Sequence, residues 1–291
     1  MELYVRGTGV AMVTPFNEDK TVDYIGLSNL IEYLIDSGVE FLVSLGTTGE
    51  SAVLTNDEKQ KIVAFTKNKI NGRVPFVVGI GGNNTSNVVA QIKSTDFSGI
   101  NAILSVSPAY NKPTQEGIYQ HFKAISEACP TNIVLYNVPG RTSSNMSATT
   151  TLSLANDFDN IIAIKEASGD MEQIMQILRD KPNNFKVLSG DDALTLPMIF
   201  MGAEGVISVQ AMAQPKEFSD MVKYALKGEI KKAKDLHYAQ LEVIKHIFAE
   251  GNPSGVKACL NILGVCDEYV RLPLVPISRD RFNTLHNLLI K

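Results

Sequence analysis

The chain has 291 residues, 44% of them hydrophobic and 20% charged, with a formal net charge of −4. That suffices for one large α/β domain with an addition, or for two smaller domains, and it excludes the disordered, collagenous and coiled-coil classes. No basic stripe advertises a nucleic-acid partner, and no run approaches the roughly 18 apolar residues of a membrane span.

The first apolar run, VAMVT at 10–14, predicts a strand. A helix over 23–38 follows and stops at Gly38. FLVSL (41–45) is the second strand. Thr55 and Glu58 then form a capping box for a helix over 55–72, whose end carries Lys67, Lys69 and Gly72. Strands are expected at PFVVGI (75–80), AILSV (102–106), NIVLYN (132–137), IIAIK (161–165), FKVLSG (185–190) and GVISV (205–209). Helices fit between and after them, at 85–97, 115–128, 147–156, 170–179, 192–201 and 216–227. The runs do not alternate cleanly between polar and apolar, which suits parallel strands covered on both faces.

Eight strand–helix units predict an α/β fold, a (β/α)8 TIM barrel over 1–228. Three more helices, at 229–248, 254–263 and 279–290, form a C-terminal helical extension over 229–291. A doubly wound sheet uses the same units and is the alternative. GIGGNN (79–84) lacks the spacing of a dinucleotide fingerprint, and no ribose-binding acid follows it. The N-terminus lacks the features of a secretory signal. Cys129, Cys259 and Cys266 are odd in number and show no metal-ligand spacing, so free thiols in a reducing, cytoplasmic compartment are expected. The four histidines fit no zinc pattern, and no metal is expected.

In such a barrel the C-terminal ends of the strands share one mouth. The loop GTTGES (46–51) brings the hydroxyls of Thr47 and Thr48 there, with small residues that let backbone amides approach an anion; a plain polar turn reads equally well. Tyr110 lies in the proline-bounded loop SPAYNKP. Tyr136 ends strand five, and Arg141 follows in YNVPGR, where its planar fork suits a carboxylate. Lys165 ends strand six. Half-desolvated there, a lysine loses charge stabilisation, and a neutral amine can attack a ketone to form an imine. The competing reading pairs Lys165 with Glu166. Imine chemistry needs repeated proton transfers, which tyrosines relayed by a hydroxyl can supply, and Thr47 is placed to link Tyr136 with Tyr110. Gly190 and Ile207 are expected to leave room beside the lysine and to offer carbonyls to a substrate. Asp191 and Asp192 are expected to cap the helix after strand seven rather than bind magnesium.

GTTGES, YNVPGR and IKEAS, in this order and spacing, resemble the pyruvate-dependent class I aldolase/N-acetylneuraminate lyase family, and within it the dihydrodipicolinate synthase branch, over essentially the whole chain. The resemblance implies a Schiff-base lyase that condenses pyruvate with L-aspartate 4-semialdehyde in the first committed step of lysine and diaminopimelate biosynthesis. A sialate or keto-sugar-acid lyase using the same lysine is the alternative. By motif, Lys165 resembles the imine lysine, Tyr136 the general acid/base and Thr47 the linking hydroxyl. Thr48 resembles part of the pyruvate carboxylate site, and Arg141 the clamp for the second substrate's carboxylate. Tyr110 resembles a relay tyrosine reaching into a neighbouring subunit. The family's usual assembly is a homotetramer built from two tight dimers, although dimers occur, and it uses no cofactor beyond the covalent imine. Four positions depart from the pattern. Ala109 stands where the first of two aromatics is usual, and Ser143 where glycine is common. Asn56 and Lys59 stand where lysine-inhibited members tend to carry histidines, which implies weak or absent inhibition by lysine.

Overall fold

The computed structural model describes residues 5–290. Eight parallel strands close into a barrel in chain order: β1 (Gly7–Ala11), β2 (Phe41–Ser44), β3 (Phe76–Gly79), β4 (Ala102–Val106), β5 (Asn132–Asn137), β6 (Ile161–Glu166), β7 (Lys186–Ser189) and β8 (Gly205–Ser208). The closed barrel rules out the doubly wound alternative.

Seven of these lie within a residue or so of the apolar runs. The exception is β1, three residues earlier than VAMVT suggests. Its start is the glycine-containing GTG, which reads as a turn, yet glycine is what lets β1 meet β8. Gly7 pairs with Gly205, and a Cβ on Gly205 would sit 2.0 Å from the Gly7 carbonyl oxygen. The barrel closes there because one side chain is missing.

Strand alternation divides the apolar side chains between two cores. Val134, Tyr136, Ala163, Leu188 and Ile207 point into the barrel with Phe41, Val43 and Leu104. Ile133, Leu135 and Ile164 point outward, into the larger core under the surrounding helices. Apolar residues on both faces are why the strands read as continuous runs.

The helix Asn56–Ile70 opens with the expected capping box: Glu58 donates its amide to the Thr55 hydroxyl at 3.2 Å, and the Thr55 amide donates to the Glu58 carboxylate at 2.8 Å. After β8 and the helix Pro215–Leu226 come Ile230–Phe248, Ser254–Ile262 and Arg279–Leu289, the three helices expected of the extension. The first packs along Pro215–Leu226. No helix of the described residues is long and apolar enough to cross a membrane.

Candidate active site

The same alternation decides where Lys165 and Glu166 go. Tyr136 and Lys165 are register partners on β5 and β6, and both face the barrel interior. Lys165 is buried, and its Nζ lies 4.5 Å from the centre of the Tyr136 ring. Glu166, one residue on, faces outward. Its carboxylate accepts from Asn137 Nδ2 at 3.1 Å, from Gln173 Nε2 at 3.1 Å and from the Ser168 amide at 2.9 Å. The pairing of Lys165 with Glu166 is therefore absent for a geometric reason: adjacent strand residues point to opposite faces. Among the described residues no carboxylate pairs with Lys165.

The outward Glu166 anchors a polar network that the sequence did not reveal. Asn137 donates to Asn145 at 2.8 Å, Asn145 donates to Gln173 at 2.7 Å, and the Met146 amide donates to Asn137 Oδ1 at 3.0 Å. These bonds tie the far side of β5 and β6 to the 138–147 loop, which carries Arg141. Burial pushes the Glu166 carboxyl above its usual range, opposed by the donors around it.

Gly190 is next to the lysine. A Cβ there would come within 2.6 Å of Ala167 Cβ and 3.0 Å of Lys165 Cε. Ile207 lies in the barrel interior, where its side chain packs with Leu188 and Tyr136. Gly190→Ala should lower stability, because the new Cβ meets the Ala167 Cβ, and should also push Lys165 aside and slow reaction of its amine by about tenfold to hundredfold. Timed borohydride trapping with a ketone, alongside a thermal melt, checks this; an unchanged trapping rate would refute it.

Thr47 and Tyr136 line one cleft of about 100 Å³ with Gly46, Ser51 and Lys59. Thr47 is exposed and Thr48 is buried, with its hydroxyl accepting from Asn252 Nδ2 at 2.9 Å. Arg141 lies on a one-turn helix, Pro139–Thr142, and is exposed. That turn is too short to have a readable period in the sequence. Tyr110 does not join its own chain's cleft. It is 90% exposed, left-handed at φ 68°, and its amide donates to the Thr142 carbonyl at 3.1 Å. Lys59, Leu45, Ile80 and Gln91 also wall a larger groove of about 880 Å³ between the helices Asn56–Ile70 and Thr85–Ser94.

The aspartates after β7 correct the capping expectation. The next helix starts at Thr195, behind Leu194, and has no side-chain cap. Asp191 instead closes a turn, accepting from the Ala193 amide at 3.0 Å. Asp192 reaches across to β8. It accepts from Ser208 Oγ at 2.6 Å and from the Val209 and Gln210 amides at 3.2 and 2.9 Å. Every one of these donors is spent on the carboxylate, so it has no metal-ligand surroundings. Among the described residues no group of three or more His, Cys, Asp or Glu can hold a metal ion.

Burial pushes the Asp192 carboxyl up to about 6. A raised folded value means that this group's contribution is complete below about 3.8, its ordinary value, and is lost as pH rises through about 6. Wild type should therefore lose stability relative to Asp192→Asn between about pH 4 and pH 7, by on the order of 2 kcal/mol. Urea melts of both proteins across that range measure it; a constant difference would sink the assignment.

A (β/α)8 barrel whose mouth holds a buried lysine over a tyrosine ring is the class defined by this fold and cleft. The chain belongs to the Dihydrodipicolinate synthetase family, whose profile matches residues 4–291. It is 55% identical to the 4-hydroxy-tetrahydrodipicolinate synthase of Flavobacterium psychrophilum over 96% of this chain and 95% of that one. With the enzyme of the same name from Parabacteroides distasonis it shares 50% identity over 99% and 97% of the two chains. The crystal structure of dihydrodipicolinate synthase from Aquifex aeolicus superposes with a TM-score of 0.94 at 40% identity, covering 98% of this chain and 97% of that one.

Proposed function

We propose that this enzyme is a lyase that condenses pyruvate with L-aspartate 4-semialdehyde through an imine on Lys165, giving 4-hydroxy-tetrahydrodipicolinate and water for lysine and diaminopimelate synthesis. The observation that carries it is the buried Lys165 amine, free of a carboxylate partner among the described residues and 4.5 Å above the Tyr136 ring, in a chain of this family.

The neutral amine attacks the pyruvate ketone, and the carbinolamine loses water as the imine forms. Loss of a methyl proton gives the enamine, whose carbon bonds to the aldehyde carbon of the second substrate. The aldehyde oxygen takes up a proton and becomes the product hydroxyl. The substrate's own amine then adds to the imine carbon, closes the six-membered ring and releases Lys165. The imine is the electron sink, so the chemistry calls for no other cofactor. In this reading Tyr136 moves the protons, with Thr47 in the same cleft as its relay. Thr48 and the GTTGES amides hold the pyruvate carboxylate, and Arg141 clamps the carboxylate of the semialdehyde. Carbonyls at Gly190 and Ile207 accept from the substrate.

Tyr110 serves the site of a neighbouring subunit. Its 90% exposure and left-handed backbone support that reading, since the side chain is left projecting away from its own fold. The assembly is a homotetramer, a dimer of dimers. Met175 and Phe200 on consecutive outer helices, with Met201 just after the second, are apolar yet 43%, 39% and 50% exposed and support a second contact face. Residues 1–228 carry the catalysis and 229–291 form the helical extension, in cytoplasmic protein.

Lysine is expected to inhibit weakly or not at all. An approaching lysine would meet Lys59 on the wall of the 880 Å³ groove, a repulsion of order 1 kcal/mol in partly solvated surroundings. At about 1 mM lysine, turnover should stay within about twofold of the uninhibited rate. Stoichiometric binding by calorimetry together with strong inhibition would overturn this. The function itself is tested by turnover of pyruvate with L-aspartate 4-semialdehyde against cleavage of N-acetylneuraminate. Preference for the sialate would assign the chain to the lyase alternative.

A further inference from the structure

The loop that carries Thr47 and Thr48 is held from outside the barrel. Two non-glycine residues bracket it in the left-handed region, Leu45 at φ 59° and Glu50 at φ 52°. Such conformations are strained and persist only where the surroundings impose them. Leu45 is fixed by the core. Glu50 is fixed by the C-terminal extension. Its Oε1 pairs with Lys257 Nζ at 2.6 Å, with the two side chains 1% and 0% exposed, and its Oε2 accepts from the Arg271 amide at 3.0 Å.

The clamp is closed on every side. Lys257 also donates to the Tyr269 carbonyl at 2.6 Å and lies 4.1 Å over the Phe16 ring. The Arg271 guanidinium covers the same ring at 4.5 Å and grips Glu58 and the Val53 carbonyl, both just beyond the loop. Asn252, also in the extension, donates to the Thr48 hydroxyl, which leaves that hydroxyl's own proton to point elsewhere. The extension thus touches the loop at Thr48 and Glu50 and the segment just beyond it at Val53 and Glu58, although it contributes no side chain to the cleft lining.

We propose that Glu50 is a positioning residue for pyruvate binding: Lys257 and Arg271 hold its carboxylate so that the extension, not the barrel, sets the aim of the Thr47–Thr48 turn. This rests on the reading that the turn receives the pyruvate carboxylate.

A buried ion pair can often be exchanged for neutral groups of similar shape without loss of stability, whereas removing one partner strands a charge. The double variant E50Q/K257M exploits that difference. Its melting temperature should lie near wild type and above both single variants. The pyruvate concentration that half-saturates borohydride trapping on Lys165 should nevertheless stay raised by about tenfold, because a neutral amide holds the loop less firmly. A merely structural pair predicts the opposite, with half-saturation recovering alongside stability, and that result overturns the proposal. If the double variant does not fold, E50D decides. It keeps the charge but withdraws the carboxylate by one methylene, so a folded E50D with wild-type half-saturation also overturns it. Wild-type protein run in parallel separates the two levels: no adduct on its Lys165 defeats the imine reading itself, and the proposal with it.

Discussion

Replacing Lys165 by methionine is expected to abolish the pyruvate adduct and lower kcat/KM by at least about 10³-fold, while leaving the protein as stable or more stable. The two halves of this expectation come from one observation. The amine is buried at 5% exposure and, among the described residues, has no carboxylate to offset its lost hydration. A polar end group buried there has given up most of its hydration, while a nucleophile requires the amine itself. Methionine keeps much of the side chain's length and apolar stem and removes the polar end. Gains on the order of 1 kcal/mol commonly accompany such replacements at active sites. A structural lysine behaves the other way, since its removal would leave a partner unpaired. Turnover, adduct mass spectrometry and a urea melt together make the test, with Lys231→Met, an exposed lysine of the extension, as control. A Lys165→Met protein that still turns over, or that is several kcal/mol less stable, would show the lysine to be structural.

That lysine was legible because it interrupts a pattern. β6 reads Ile-Ile-Ala-Ile and then presents an ammonium, and alternation assigns it to the barrel interior once Ala163 is placed there. The other strands were legible for a related reason: buried on both faces, they cannot carry polar residues except at their ends. β1 was misplaced because its close approach to β8 demands the glycines that normally mark turns. What local reading could not find is long-range pairing of polar groups. Asp192 looked like a helix cap, and its true donors lie 16 to 18 residues away, at the end of β8 and just beyond it. Glu50 and Lys257 are separated by 207 positions, and neither shows an abnormal local pattern. The lysine end of the site was therefore readable. The hold that the extension has on the threonine loop was not, because only the closed fold brings these charges together.

Tyr136→Phe is expected to lower kcat by about 10²–10³-fold while leaving the imine accessible at equilibrium. Phenylalanine retains the ring that packs with Val134, Ala163 and Ile207 inside the barrel, and the face beneath Lys165 Nζ. The core and the placement of the amine should be preserved, and only a proton carrier is lost. Carbinolamine dehydration, methyl deprotonation and protonation of the new hydroxyl each need such a carrier, so the rate falls at several steps. Binding of the ketone does not need one, and half-saturation by pyruvate should move little. Trapping experiments separate these effects: the final yield of adduct should approach wild type while the time to reach it lengthens. Thr47→Val should slow the same steps less, since Thr47 acts through Tyr136 and water can replace it in the exposed part of the cleft. If Tyr136→Phe turned over at the wild-type rate, proton transfer would have to come from another group lining the cleft, and Ser51 and Lys59 are the candidates already there.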